Sequence, residues 1–431
     1  MATQVEPTLT DEDATAFVDP NVYADWDGLL DRFDAVRSEN PVVRVVNEEF
    51  HDPFWLITGY DDVMRISKDN KTFLNSPRSA TMAGREMLEF VKKITGGSPH
   101  LVKSLVTLDA PTHPKYRRLT QDWFMPKNLK QMEDEIRKLA KKTVDRLVDA
   151  GGDADFVPLV SAPYPLHVVM QILGVPEEDE QRMLFLTQQM FGGSDADLSG
   201  TGMEMTPEQV LQLVVGAVND FEAYFAKLTE EKRANPTEDV ASVIANAKVD
   251  GEYLSDRDMA GYYIILAAAG HDTTSASTAG AMHALAEDPE QFARLKADRD
   301  LLPGIVEEAI RWTTPVQHFM RTAAKDTEVG GQKIAKDDWL MISYVAANHD
   351  PAVFDDPRTF DASRSPNRHI AFGAGAHQCL GLHMARMEMK ILFNELLDRI
   401  ETLELAGEPK RATSVFVGGL KTLPIKYTLS K

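Results

Sequence analysis

The sequence predicts a mainly α protein with small peripheral β-sheets, and three observations carry that expectation. Apolar residues recur at helical spacing through the middle of the chain. Strand-like runs are few and sit near its ends. No Gly/Ser-rich or Pro-rich linker and no internal repeat divides it. Helical spacing runs through Lys127–Ala150, Pro207–Arg233, Asp256–Glu287, Leu301–Thr313 and Leu382–Ile400, with Gly or Pro near several ends. The β-branched and aromatic runs Pro41–Val46, Phe54–Thr58, Leu340–Val345, Val415–Val417 and Leu423–Tyr427 read as strands, and Gly330–Gly331 as a hairpin turn. The expected organisation is one large domain over 21–431 behind a flexible, acidic arm over 1–20.

Charge and cysteine usage narrow the class of function. The chain of 431 residues has 46 Lys+Arg against 67 Asp+Glu, a net charge of −21, which argues against nucleic acid or an anionic membrane as the main partner. Its single Cys excludes an internal disulfide and any zinc site with two thiolates, and points to a reducing compartment. The N-terminal stretch is acidic where a secretory signal needs cations. The most apolar run, Tyr262–Gly270, is far shorter than the roughly 20 residues of a membrane span. A soluble cytoplasmic protein is expected.

The lone thiol stands in Phe372-Gly373-Ala374-Gly375-Ala376-His377-Gln378-Cys379-Leu380-Gly381, immediately before a helical pattern. The glycines allow positive φ and close backbone approach. The helix N-terminus and free N–H groups favour a thiolate, suited to a nucleophile or a metal ligand. The alternative is a small buried hydrophobe.

The run Asp256–Glu287 is apolar nearly all round, so it should be a buried central helix, yet Ala269-Gly270-His271-Asp272-Thr273-Thr274 stands in its middle. Either the hydroxyls bond back to carbonyls one turn earlier and kink the helix, or the acid and hydroxyls relay protons beside a Gly that leaves room. His271 cannot share the direction of both its neighbours and reads as structural.

Together these motifs resemble the cytochromes P-450. Phe-Gly-x-Gly-x-His-x-Cys-x-Gly matches that family's haem-binding loop at every fixed position, and the central motif is similar to its oxygen-binding segment. The resemblance implies a single helical domain around a buried haem b. Cys379 would be the iron ligand, Phe372 would lie against the sulfur, and Gly381 would let the next helix pass under the ring. Thr273 would stand where dioxygen binds, with Asp272 as its link to solvent protons. It further implies that His113, Arg117, Arg321 and His377 hold the haem propionates. Glu308, Arg311 and Arg364 would form a buried structural ion pair, where a surface pair is the plainer reading of the first two alone.

Several stretches, among them Gly96-Gly97-Ser98-Pro99-His100 and Tyr164-Pro165-Leu166-His167, look like the bacterial α-terpineol hydroxylase branch. By that correspondence Ile265, Ala268, Ala269, Val316, Gln317, Phe319, Phe416 and Val417 face substrate. None is charged, which suits a small hydrophobic guest such as a monoterpenoid, alkylbenzene or aromatic hydrocarbon; by composition each is equally an ordinary core residue. Met82–Phe90 reads as a lid over the pocket or as an amphipathic surface helix. The resemblance implies a monooxygenase that uses O2 and electrons from an acidic 2Fe–2S ferredoxin. A peroxygenase and a non-catalytic haem sensor are the alternatives. From Pro111 to Lys142, nine cations against four acids make either a docking face for that ferredoxin, extended by Arg368 and Arg386, or a solvated helix face.

Overall fold

The computed structural model describes residues 6–191, 195, 197 and 205–430. Its principal sheet has six strands: β1 (Thr8–Thr10), β2 (Val42–Val46), β3 (Phe54–Ile57), β4 (Phe73–Leu74), β5 (His318–Ala323) and β6 (Trp339–Ser343). They lie in the order β1-β2-β3-β6-β5-β4, with β1–β2 and β3–β6 parallel and the other pairs antiparallel. On β5, Phe319 and Arg321 stand two residues apart and so share one face, the face turned to the site described below.

The helices that build the site are α1 (Thr112–Gln121), α2 (Glu133–Asp149), α3 (Pro163–Leu173), α4 (Asp256–Ala269), α5 (Asp272–Glu287), α6 (Leu302–Thr313) and α7 (Leu382–Arg399). Pro207–Ala234 forms a long helix opened by a capping box between Thr206 and Gln209. One apolar core runs through α2 to α7, with Leu147, Tyr164, Tyr263, Leu285, Ile305 and Leu392 fully buried; two smaller cores pack on the sheet.

The fold departs from the sequence reading at four places. The segment 1–20, expected as a flexible arm, is docked from Thr8 onward. Thr8–Thr10 pairs with β2, and Ala14 and Phe17 are buried in a core; residues 1–5 lie outside the described ones. The run Lys127–Ala150 is three pieces, a short helix Pro126–Leu129, a tight turn Lys130–Met132 and α2. Leu340–Val345 leaves the sheet at Ser343, whose hydroxyl accepts from the Ala346 N–H and starts the helix Tyr344–Asn348. Val415–Val417 is no strand; Val417 makes one bridge to Val316. The hairpin turn does form, with positive φ at Gly330 and Gly331 between Thr327–Val329 and Gln332–Ile334.

Candidate active site

A cavity with about 250 Å³ open to the centres of water molecules lies where α1, α4, α5, β5 and the loop before α7 converge. Ile265, Ala269 and Thr273 line it from α4 and α5, Val316, Phe319 and Arg321 from β5 and the residues leading into it. His113 and Arg117 come from α1, and Phe372, His377, Cys379 and Gly381 from the loop. Twelve hydrophilic and apolar site positions from separate stretches of sequence therefore meet at one space.

The loop is held by its own backbone. The Cys379 N–H donates to the Phe372 carbonyl at 2.8 Å, and Gly375 has φ +74° with backbone of Ser67 and Lys68 2.8 Å from where a Cβ would stand, so no side chain fits there. Protein encloses Cys379, yet its surface is open to the cavity. Burial pushes its thiol up, and the Gly381 N–H, Arg117 and Arg386 pull the other way without overcoming it. A helix terminus alone therefore does not make the thiolate here; a cation on sulfur would.

The polar groups around the cavity lack the partners that burial demands. Arg321 is almost fully buried and donates to the Met320 carbonyl at 2.8 Å, but meets no carboxylate within ion-pairing distance among the described residues. His113 Nε2 is buried without a hydrogen-bond partner, and Arg117 donates to the Gln378 carbonyl at 2.8 Å. A Cβ added at Gly381 would meet nothing within 4 Å. A thiol, two cations seeking anions, an orphaned imidazole nitrogen and an open glycine face together fit haem b, whose two carboxylates need such donors.

The central helix is broken, not continuous. Gly270 and His271 interrupt it between α4 and α5. Gly270 is required by packing, since a Cβ there would sit 2.5 Å from Val169 of α3. The Thr273 hydroxyl donates to the Ala269 carbonyl at 2.8 Å, satisfying an acceptor that the break exposes. Thr273 lines the main cavity, while Asp272 lines a second, polar cavity of about 90 Å³ on the other side.

Other site expectations separate in the same way. Ile265, Ala269, Val316 and Phe319 line the main cavity. Ala268 is buried in protein. Gln317 is turned away, its amide donating to the Ser414 carbonyl at 2.6 Å, and Val417 lines the polar cavity. Phe416 packs edge-on against Phe319, 5.4 Å between centroids, behind the wall. No residue of Met82–Phe90 lines either cavity; Leu88 is buried in a core beside the sheet.

Glu308 and Arg311 are fully buried and doubly bonded at 2.7 and 2.8 Å, and Arg364 reaches Glu308 at 3.1 Å. The basic stretch is largely neutralised. Lys115 pairs with Asp250, Arg137 with Glu133, Lys138 with Glu135, Lys141 with Asp145, Lys142 with Glu177, and Arg386 with Glu307. Arg118, Lys127, Lys130 and Arg368 remain exposed, with no acid within ion-pairing distance among the described residues.

The sequence reading missed Glu388. It is fully buried on α7, lines the main cavity, and has one carboxyl oxygen without a partner. Burial holds its carboxyl well above the usual carboxylate range, with Thr274 pulling weakly the other way. An acid among Met384, Ile391 and Leu392 on an otherwise apolar helix face was the available signal. Phe124, Val169, Ile172 and Leu173, also in the lining, read as plain core.

Comparison with known proteins agrees with this geometry. The model of the cytochrome P450 family matches residues 47–429. The chain is 43% identical to Cytochrome P450-terp of a Pseudomonas species over 98% of both proteins. The crystal structure of CYP108D1 from Novosphingobium aromaticivorans superposes with a TM-score of 0.92 at 63% identity, covering 98% of this chain and 100% of that one. CYP268A2 of Mycobacterium marinum, in complex with pseudoionone, gives 0.85 at 30% identity over 99% and 98%.

Proposed function

This chain belongs to the cytochrome P450 family of haem-thiolate monooxygenases, and on that premise we propose that it hydroxylates a small hydrophobic molecule. A monoterpenoid, an alkylbenzene or an aromatic hydrocarbon fits the class. The observation that carries this reading is the lining. Ile265, Ala269, Val316 and Phe319 offer it only hydrocarbon, and bound haem would take up Arg117 and Arg321 with its carboxylates. The relative named Cytochrome P450-terp and the neighbour bound to pseudoionone support the same class.

Bound haem with a thiolate ligand supplies dioxygen splitting and transfer of one oxygen atom to a C–H bond. The chain's residues have separate tasks around it. Cys379 provides the sulfur, and the Gly381 N–H bonds to it and moderates its basicity. Arg117, Arg321, His113 and His377 would hold the propionates. Thr273 presents a hydroxyl inside the main cavity, and Asp272 brings protons to it from the polar side. Electrons come from an acidic 2Fe–2S ferredoxin at a face made by Arg118, Lys127, Lys130 and Arg368.

Optical titration of the haem protein with terpenoids, alkylbenzenes, arenes, fatty acids and macrolides, followed by product identification, tests the substrate class. Micromolar binding and hydroxylation of a small hydrocarbon are expected. Tight binding of only fatty acids or macrolides would overturn it. Turnover that needs hydrogen peroxide and ignores ferredoxin would replace the monooxygenase reading with a peroxygenase.

A further inference from the structure

The second cavity, behind the helix break, is mixed in character, with Val157, Ala162, Val417 and Leu420 on its wall; its polar groups include Gln188, Asp195, His271, Asp272, Ser275 and Lys421. His271 is 1% exposed, and its ring is fixed at one end, with Nε2 3.0 Å from the Ala162 carbonyl. A carbonyl can only accept, so Nε2 carries the hydrogen of that bond. Nδ1, at the other end, lies 2.9 Å from Oδ1 of Asp272 but out of line with it, so no aligned hydrogen bond satisfies this buried nitrogen among the described residues. A ring nitrogen and a carboxylate oxygen this close require a hydrogen between them, from the ring or from the carboxyl.

The break makes this contact possible. His271 and Asp272 are consecutive, yet in a regular helix their side chains would diverge by about 100°; with the helix interrupted at His271 (φ −88°, ψ −70°), both face the polar cavity. Thr273, the next residue, faces the main cavity, so the backbone at Asp272–Thr273 is the partition between the two. Among the described residues, the charged groups facing the contact across the polar cavity are Lys421 and Asp195, which pair with each other at 3.1 Å. Lys421 is thereby committed, and among the described residues His271 is the polar group that meets the Asp272 carboxylate.

We propose that His271 is a positioning residue that holds the Asp272 carboxylate on the polar side of this partition, so that protons enter the reaction from the polar cavity and pass to Thr273. The proposal rests on the monooxygenase reading above. It assigns a role to a histidine that the sequence alone marked as structural.

The test uses the haem-loaded protein in its diamagnetic ferrous carbon monoxide form, with ¹⁵N-labelled histidine. The His271 ring signals are assigned by their loss in His271→Phe. In Asp272→Asn these signals should shift, while those of the other ten of the 11 histidines hold. In turnover, His271→Phe should lower product formed per electron pair on the order of tenfold, with the balance appearing as hydrogen peroxide. Substrate affinity and the rate of the first reduction should stay at wild-type values. His271→Gln, which keeps a donor within reach of the carboxylate, should recover most of the coupling. His271 signals unmoved by Asp272→Asn would overturn the proposal. So would coupling that falls equally in the Phe and Gln variants alongside an equal loss of thermal midpoint. If no small hydrocarbon is turned over, the substrate reading fails, and the NMR comparison still decides the contact between His271 and Asp272.

Discussion

The imidazoles of His113 and His377 stack 4.1 Å apart between centroids, their planes 31° from parallel, one from α1 and one from the cysteine loop. Burial lowers both, and His377, further opposed by His113, Arg321 and Arg117, falls to about 2. Both rings are therefore neutral at physiological pH, and positive charge at this edge of the cavity comes from Arg117 and Arg321. Charge-assisted bonds exceed neutral ones, so Arg321→Gln should release haem about tenfold faster. His377→Gln should do so by less. Transfer of haem to apomyoglobin measures both rates, and equal effects would contradict the division of labour.

Cys379 has its thiol pushed up by burial, and the nearby N–H and cations do not compensate. Deprotonation therefore depends on iron binding the sulfur. Cys379→Ser should lose the thiolate-type absorption band of the reduced carbon monoxide complex, together with monooxygenation. Retention of that band in the Ser variant would remove Cys379 from the ligand position.

Arg118→Glu or Lys127→Glu should slow ferredoxin-dependent reduction at low salt and leave substrate affinity unchanged. Lys138→Glu and Lys141→Glu serve as controls, because both cations are already paired within their own helix. Stopped-flow reduction at two ionic strengths checks this. Equal slowing by all four variants would point to net charge and away from a defined face.

How much of this was legible follows from the range of the signals. The cysteine loop could be read because its glycines answer local demands, such as the approach of Gly375 to the Ser67 and Lys68 backbone. The helix break was legible as one of two readings, a kink with a hydroxyl bonding back one turn, as Thr273 does to Ala269. Its packing cause was not, because Gly270 is small for the sake of Val169, about a hundred positions away in sequence, and both flanking segments keep helical spacing. Counting charge along 111–142 overstated the basic face for a similar reason. Asp145, four residues beyond Lys141 on the same helix, lies just outside that window, and Glu177 and Asp250 reach it only in the fold. Gln317 and Phe416 were assigned to the pocket by position. Their side chains are turned by contacts to Ser414 and Phe319 that a linear pattern does not encode.

His318 gives a pH prediction. Its Nε2 accepts from the Met82 N–H at 3.0 Å and its Nδ1 bonds the Val415 carbonyl at 3.0 Å, which fits only the neutral Nδ1–H tautomer. Complete burial lowers it from 6.5 to about 4, despite the Val415 bond. A folded value below the unfolded one means that stability is complete above pH 6.5 and is lost as pH falls toward 4. By pH 5 the loss is about 2 kcal/mol from this residue. His318→Gln keeps one donor and one acceptor and cannot be protonated. Its urea stability should fall less than that of the wild type between pH 7 and pH 5, by about that amount. Parallel pH profiles would show that His318 opens to water before it charges.

Glu388 has the opposite sign. Burial raises its carboxyl well above 4.5, so in the folded protein it is held as the neutral acid between α5 and α7. An acid raised in the folded state favours folding equally at all pH below 4.5. As pH rises above 4.5, the unfolded chain releases a proton that the folded chain keeps, and stability falls. Glu388→Gln keeps the shape and a donor while abolishing that release. At pH 8 it should therefore be at least as resistant to urea as the wild type, with a flatter profile from pH 5 to pH 8. Glu388→Ala opens a void in the same place and should destabilise by roughly 2 kcal/mol or more. A Gln variant that loses as much as the Ala variant would mean that Glu388 is ionised in the fold and paired with a cation outside its described neighbours.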